Sequence, residues 1–149
     1  MHPMVQRLSH AGGRAVSPAT YRELAHFRYE LRRFLRFSEK AARSAGVTPQ
    51  QHQLLLGIAG FTGRGWANVS ELAEFMQLRH NAVVGLITRA ARARLVRKAL
   101  DPEDRRVVRV ELSPRGAIIL NELTQLHQAR LNGTGMGRQG EPVFVIKEQ

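Results

Sequence analysis

The sequence predicts a mainly α fold with a small β-hairpin wing, a winged helix-turn-helix carried between two flanking dimerisation helices. Three observations predict it. Amphipathic helical patterns open on cap-plus-proline signals at Thr48-Pro49 and Ser113-Pro114. The apolar period then drops from about 3.6 residues to about 2 over Val96–Leu100 and Val107–Leu112. Between the helical part and that change lies a basic stretch without a single acid, from Arg79 to Lys98. At 149 residues the chain has the length of one domain.

Residues 1–17 read as a flexible N-terminal tail, with Gly12, Gly13, Ser17 and Pro18 as punctuation. Residues 18–131 form the folded part. Within it, we expect 18–46 and 114–131 to be dimerisation helices and 47–113 to be a DNA-binding core, on the grounds given below. A helix of about 19–45 follows from Leu24, Phe27, Leu31, Phe34, Leu35, Ala41, Ala42 and Ala45 at three- and four-residue steps, with Gly46 as its end. A second helix runs from Pro49 to about Gly60, and the glycines of 61–66 make a loop. A third helix covers about 69–76, with Asn68 or Ser70 as cap and Glu71 placed for a capping box. After a polar turn, a fourth covers about 80–93, with Val83, Leu86, Ile87 and Ala90 on its apolar side. The two strand-like runs flank the charged turn 101–106 and read as a hairpin. The last helix, 114–131, carries Leu120, Leu123, Leu126 and Leu131, and the glycines of 132–149 mark a C-terminal tail.

Hydrophobic residues make up 43% and charged residues 23%, values that argue against wholesale disorder. The 23 Lys and Arg outnumber the 12 Asp and Glu for a net charge of +11, and all but Lys40, Lys98 and Lys147 are arginine. The planar, always-charged guanidinium suits phosphates and guanine edges, so the composition points to a polyanionic partner. The absence of cysteine excludes disulfides, thiolate metal sites and thiol chemistry. No apolar leader and no run of about 20 apolar residues is visible, so we expect a soluble, cytoplasmic bacterial protein with no membrane partner. No nucleophile–base set and no phosphate-cradling glycine motif is present. We therefore expect no enzymatic activity and no cofactor. His26, His52 and His127 sit on three different helices, but no two histidines have the spacing of a helical metal pair, and we expect no metal site.

Helix, short helix, turn, helix, hairpin is the order in which one helix crosses a DNA backbone and the next enters the major groove. Arg79, His80, Asn81, Thr88 and Arg89 are the groove-facing candidates. Asn pairs with adenine and Arg with guanine. Cap chemistry is the alternative for Asn81, a fold-holding ion pair is the alternative for Arg89, and His80 reads as a capping or phosphate-contacting group rather than a pH switch. Arg105 and Arg106 occupy the wing tip, where narrow minor grooves attract arginine, and Asp104 would orient Arg106.

Asp101-Pro102-Glu103-Asp104-Arg105-Arg106, followed by Glu111-Leu112-Ser113-Pro114-Arg115-Gly116, resembles the wing signature of the MarR family of bacterial transcription regulators. Val69-Ser70-Glu71-Leu72-Ala73 and Leu95-Val96-Arg97 are similar to the segments that precede that signature, and the resemblance spans roughly 22–131. It implies a homodimer whose first and last helices interdigitate, two winged domains gripping successive major grooves of double-stranded DNA, and repression of a pseudo-palindromic operator. It also implies a small, often aromatic, anionic effector, with Phe27, Arg28, Phe34, His52, Leu56 and Trp66 in the matching region; core packing is the alternative for the aromatic ones. Relatives often carry Gly just before Leu95. Arg94 there implies an added phosphate contact or a strained helix end. Ala82 replaces a commonly hydroxylated residue and suits a thymine methyl. Gly85 lowers helix propensity, and relatives usually have a further C-terminal helix that this tail does not provide. The alternatives are a winged protein binding RNA or bulk DNA without sequence preference, and a membrane-surface protein using the basic first helix.

Overall fold

Local capping chemistry decides where most of the helices start. In the computed structural model, which describes residues 13–134, they follow in the order α1 (Pro18–Ser44), α2 (Pro49–Gly60), β1 (Trp66–Ala67), α3 (Val69–Met76), α4 (His80–Arg92), β2 (Val96–Leu100), β3 (Val108–Leu112) and α5 (Pro114–Thr134). Thr48 and Gln51 close a reciprocal capping box at α2, and Asn68 and Glu71 close another at α3. Each box satisfies two backbone N–H groups that a helix leaves without partners. Ser113 caps α5, its hydroxyl accepting from Gly116 N at 3.0 Å. The expected tail segments 1–12 and 135–149 lie outside the described residues.

The chain divides into two compact units, residues 1–35 and 36–149. In the first, residues 13–17 precede the leading stretch of α1. Here Tyr21 is 64% and Leu24 58% exposed, while Phe27, Leu31 and Phe34 are half-buried. Of the apolar stripe read from the sequence, Leu24 and Leu35 are exposed, most of the rest is half-buried, and Ala42, in the second unit, is buried. The second unit holds the hydrophobic core: Leu54, Leu55 and Ile58 of α2, Leu72 of α3, Val83, Leu86 and Ile87 of α4, and Leu120 and Leu123 of α5.

The wing is a three-stranded antiparallel sheet in the order β1-β3-β2. Val96 stands opposite Leu112 and Leu100 opposite Val108, while Trp66 pairs with Glu111 and Ala67 with Val110. The sheet thus exceeds the two-strand hairpin expected from the sequence. Two residues beside glycines show no alternation of their own, and β1 exists only through its pairing with β3. One face presents Ala67, Val96 and Val110 to the core, and the other carries Trp66, Arg97, Arg109 and Glu111. α5 also runs three residues past its expected end at Leu131, consistent with the fraying that makes helix ends hard to place.

Arg94 has φ 60°, in the left-handed region. It ends α4 as glycine commonly does, with its N–H bonded to Ala91 O and Leu95 N–H reaching back to Ala90 O, both at 3.0 Å. A residue with a Cβ pays about 1–2 kcal/mol to stand there. Arg94→Gly should raise folding stability by about 1 kcal/mol, measured by urea denaturation. No change, or a loss, would mean that the arginine side chain compensates for the backbone.

Candidate nucleic-acid interface

The amphipathic period of α4 sorts its residues. Val83, Leu86, Ile87 and Ala90 pack into the core, and His80, Asn81, Ala82, Val84 and Arg89 face solvent. Arg79 is the N-cap residue and makes no side-chain cap bond, so the backbone N–H groups at this end receive nothing from it. Asn81 lies inside the first turn and is exposed. Thr88 is half-buried and its hydroxyl donates to Val84 O at 3.0 Å.

The wing turn is built by two carboxylates. Asp101 Oδ1 accepts from the N–H groups of Glu103, at 2.8 Å, and Asp104, at 3.1 Å, while its Oδ2 accepts from Arg109 Nε at 2.8 Å. The Arg109 hydrogen bond, followed by the two backbone donors, holds the Asp101 carboxyl below the usual carboxylate range. Asp104 takes Arg106 in a two-pronged grip, Nε and Nη2 each at 3.0 Å, and accepts from Arg106 N–H at 3.1 Å. That pairing lowers the Asp104 pKa and raises that of Arg106. Asp104 thus orients Arg106, whose side chain remains 90% exposed. Arg105 is exposed beside it.

Between α4, the start of α3 and the wing lies a cleft of about 460 Å³, lined by Asn68, Ser70, His80, Thr88, Lys98 and Arg106 among others. No acid lines it. Among the described residues, Arg79, Arg89, Arg92, Arg94, Arg97 and Lys98 form no ion pair, whereas Arg33, Arg64, Arg106 and Arg109 each do. The stretch is therefore an uncompensated cationic surface rather than a salt-bridged one. Lys98, Asn68 and Ser70 were not singled out from the sequence as site residues. Lys98 belonged to the acid-free run, which was its signal, while Asn68 and Ser70 carried only the signal of a helix start.

The sequence profile of the MarR family matches residues 45–107. An uncharacterised helix-turn-helix transcriptional regulator of Bacillus subtilis, YsmB, is 34% identical over 102 residues, 68% of each chain. The chain belongs to the MarR family. It is a DNA-binding transcriptional regulator of that family. Solved structures share the fold. A MarR family protein from Bacillus stearothermophilus superposes with a TM-score of 0.69 at 24% identity, covering 85% of this chain and 86% of its own. A mutant MarR from E. coli complexed with operator DNA superposes at 0.61, with 21% identity and 76% and 78% coverage.

The residues that the MarR resemblance assigned to an effector pocket are distributed over both units. Phe27 and Phe34, half-buried, and Arg28, exposed, belong to the first. His52, Leu56 and Trp66 belong to the second, and each has a different setting there. His52 is buried with its ring 4.9 Å from that of His127, and its Nδ1 has no hydrogen-bond partner. Leu56 is exposed. Trp66 lies on the outward face of the wing sheet, with the Arg64 guanidinium 3.8 Å and the Arg109 guanidinium 4.2 Å from its ring centre. Among the described residues no three histidines or carboxylates gather as a metal site, and no helix is long and apolar enough to cross a membrane.

Proposed function

We propose that this MarR family member is a homodimeric, sequence-specific repressor that reads a pseudo-palindromic operator and is released by a small aromatic anion. The observation that carries the DNA-reading part is the run of cations without ion-pair partners from Arg79 to Lys98, folded onto a recognition helix and a wing that share an acid-free cleft. α4 enters the major groove with His80, Asn81, Ala82, Thr88 and Arg89 toward base edges, and Arg105 and Arg106 reach the flanking minor groove. Arg79, at the N-cap of α4, faces the major groove as well, and Arg94 contacts phosphates. Dimerisation is supported by apolar side chains left open on α1 and α5, among them Leu24 and, at 61% exposure, Ile118. A dimer clamped across a promoter blocks access to it, hence repression. The exposed arginines of α1, including Arg22, Arg28, Arg32 and Arg36, favour the second reading, a binder of nucleic acid without sequence preference.

Salt titrations separate the two readings. They should be run on a duplex selected from a random library and on its scrambled counterpart. With about 6–10 phosphates neutralised, log affinity should fall with log salt at a slope of about −5 to −9. Two chains should bind each selected duplex. Asn81→Ala should leave the slope nearly unchanged and relax preference at one base pair per half-site, because base contacts specify while phosphate contacts position. Equal binding of both duplexes at every salt concentration establishes the non-specific reading instead.

A further inference from the structure

A continuous series of contacts runs from the cap of α3 to the wing arginine. Glu71 Oε2 accepts from Asn68 N–H at 2.9 Å to close the α3 capping box, and its Oε1 accepts from Arg64 Nη2 at 2.6 Å. The Arg64 guanidinium lies over the Trp66 ring, and so does that of Arg109. Arg109 is held by Asp101, whose other oxygen shapes the turn through Glu103 and Asp104, and Asp104 grips Arg106. The Trp66 backbone is fixed as well, its carbonyl accepting from the Thr62 hydroxyl at 2.8 Å. Glu71 and Asp101 already neutralise Arg64 and Arg109. These two cations are therefore committed to the ring, unlike the unpaired ones on α4 and β2.

The backbone tie between the helices and the wing through β1 is only two residues long. The ring adds a second tie on the outward face. A planar guanidinium oriented by a carboxylate stacks on an aromatic face in one geometry, so two of them on one indole hold both neighbours in register. We propose that Trp66 is a positioning residue for DNA binding: held between Arg64 and Arg109, its ring fixes the wing to the helix-turn-helix and thereby sets where the Arg106 guanidinium stands. The proposal rests on the reading of Arg106 as a DNA contact.

The test measures binding to A·T-rich and G·C-rich duplexes as a function of salt, with melting curves as the fold control. Trp66→Ala and Arg106→Ala should each weaken binding to the A·T-rich duplex on the order of tenfold. Because Trp66 acts through Arg106, the double variant should bind no more weakly than Arg106→Ala alone. Trp66→Tyr, which keeps an aromatic face for the two guanidiniums, should restore most of the affinity. Arg109→Gln breaks the same link at a half-buried strand position without removing the ring. It should behave like Trp66→Ala, and it carries the test if that variant does not fold. Fully additive losses would show a merely structural tryptophan and overturn the proposal. So would unchanged binding by Trp66→Ala or Arg109→Gln while Arg106→Ala is impaired. If Arg106→Ala itself binds like the wild type, the wing reading fails and the proposal with it.

Discussion

Gly116→Ala should cost about 3 kcal/mol or more of folding stability. Gly116 lies in the first turn of α5, directly against the chain that leaves α4. A Cβ there would stand 2.0 Å from Leu95 O and 3.0 Å from Leu95 C, both backbone atoms. Neither can rotate away as a side chain can. Leu95 O also accepts from Ser113 N–H at 3.0 Å, and the Ser113 hydroxyl donates to Arg94 O. Moving the carbonyl to admit the methyl group would break the bonds that dock α5 onto the start of β2. Gly60→Ala is the matched control, because no heavy atom lies within 4 Å of its added Cβ. Urea denaturation should separate the two variants clearly. Equal stabilities would show that α5 can slide away from Leu95 at little cost.

The second large effect is a loss of stability in mild acid, caused by His52. Its burial, with the neighbouring His127 charge adding to the effect, lowers its pKa from 6.5 to about 4. Above pH 6.5 the imidazole is neutral in both folded and unfolded chains and contributes no pH dependence. Between pH 6.5 and about 4 the unfolded chain binds a proton that the folded chain refuses, so stability falls with pH. The full loss, reached below about pH 4, is about 3 kcal/mol. Asp101 and Asp104 act in a lower window: their depressed pKa values add stability above the unfolded value of 3.8, lost as pH falls further. His52→Leu should flatten the melting temperature between pH 6.5 and 4. It should also raise stability near neutrality by about 1 kcal/mol, since it removes a buried Nδ1 with no partner. An unchanged acid profile in His52→Leu would place the sensitivity elsewhere.

Much of the fold could be read from the sequence because its signals are local. Thr48 before Pro49, Asn68 with Glu71 and Ser113 before Pro114 all act within one helical turn, and α2, α3 and α5 begin where those residues stand. The change of period over 96–100 and 107–112 likewise marks two strands, although β2 buries only Val96 and β3 only Val110. β1 had no such signal, being defined by a strand more than forty residues away. Within the site, the cationic run was visible because like charges follow one another along the chain. The series from Glu71 to Asp101 was not, since its charged members look like ordinary surface residues until the sheet brings β1 beside β3. Arg94 was visible only as a departure from a family pattern, and its backbone angle supplies the physical meaning.

Trp66 is the only tryptophan in the chain. Its indole therefore dominates the near-ultraviolet emission, and that emission originates at the joint between the wing and the helices, against two guanidinium groups. The protein thus carries an optical gauge of its own articulation. Changes in the stacking shift intensity and wavelength without any attached dye, and loosening that starts at the wing is recorded separately from the melting of the helices, which circular dichroism follows.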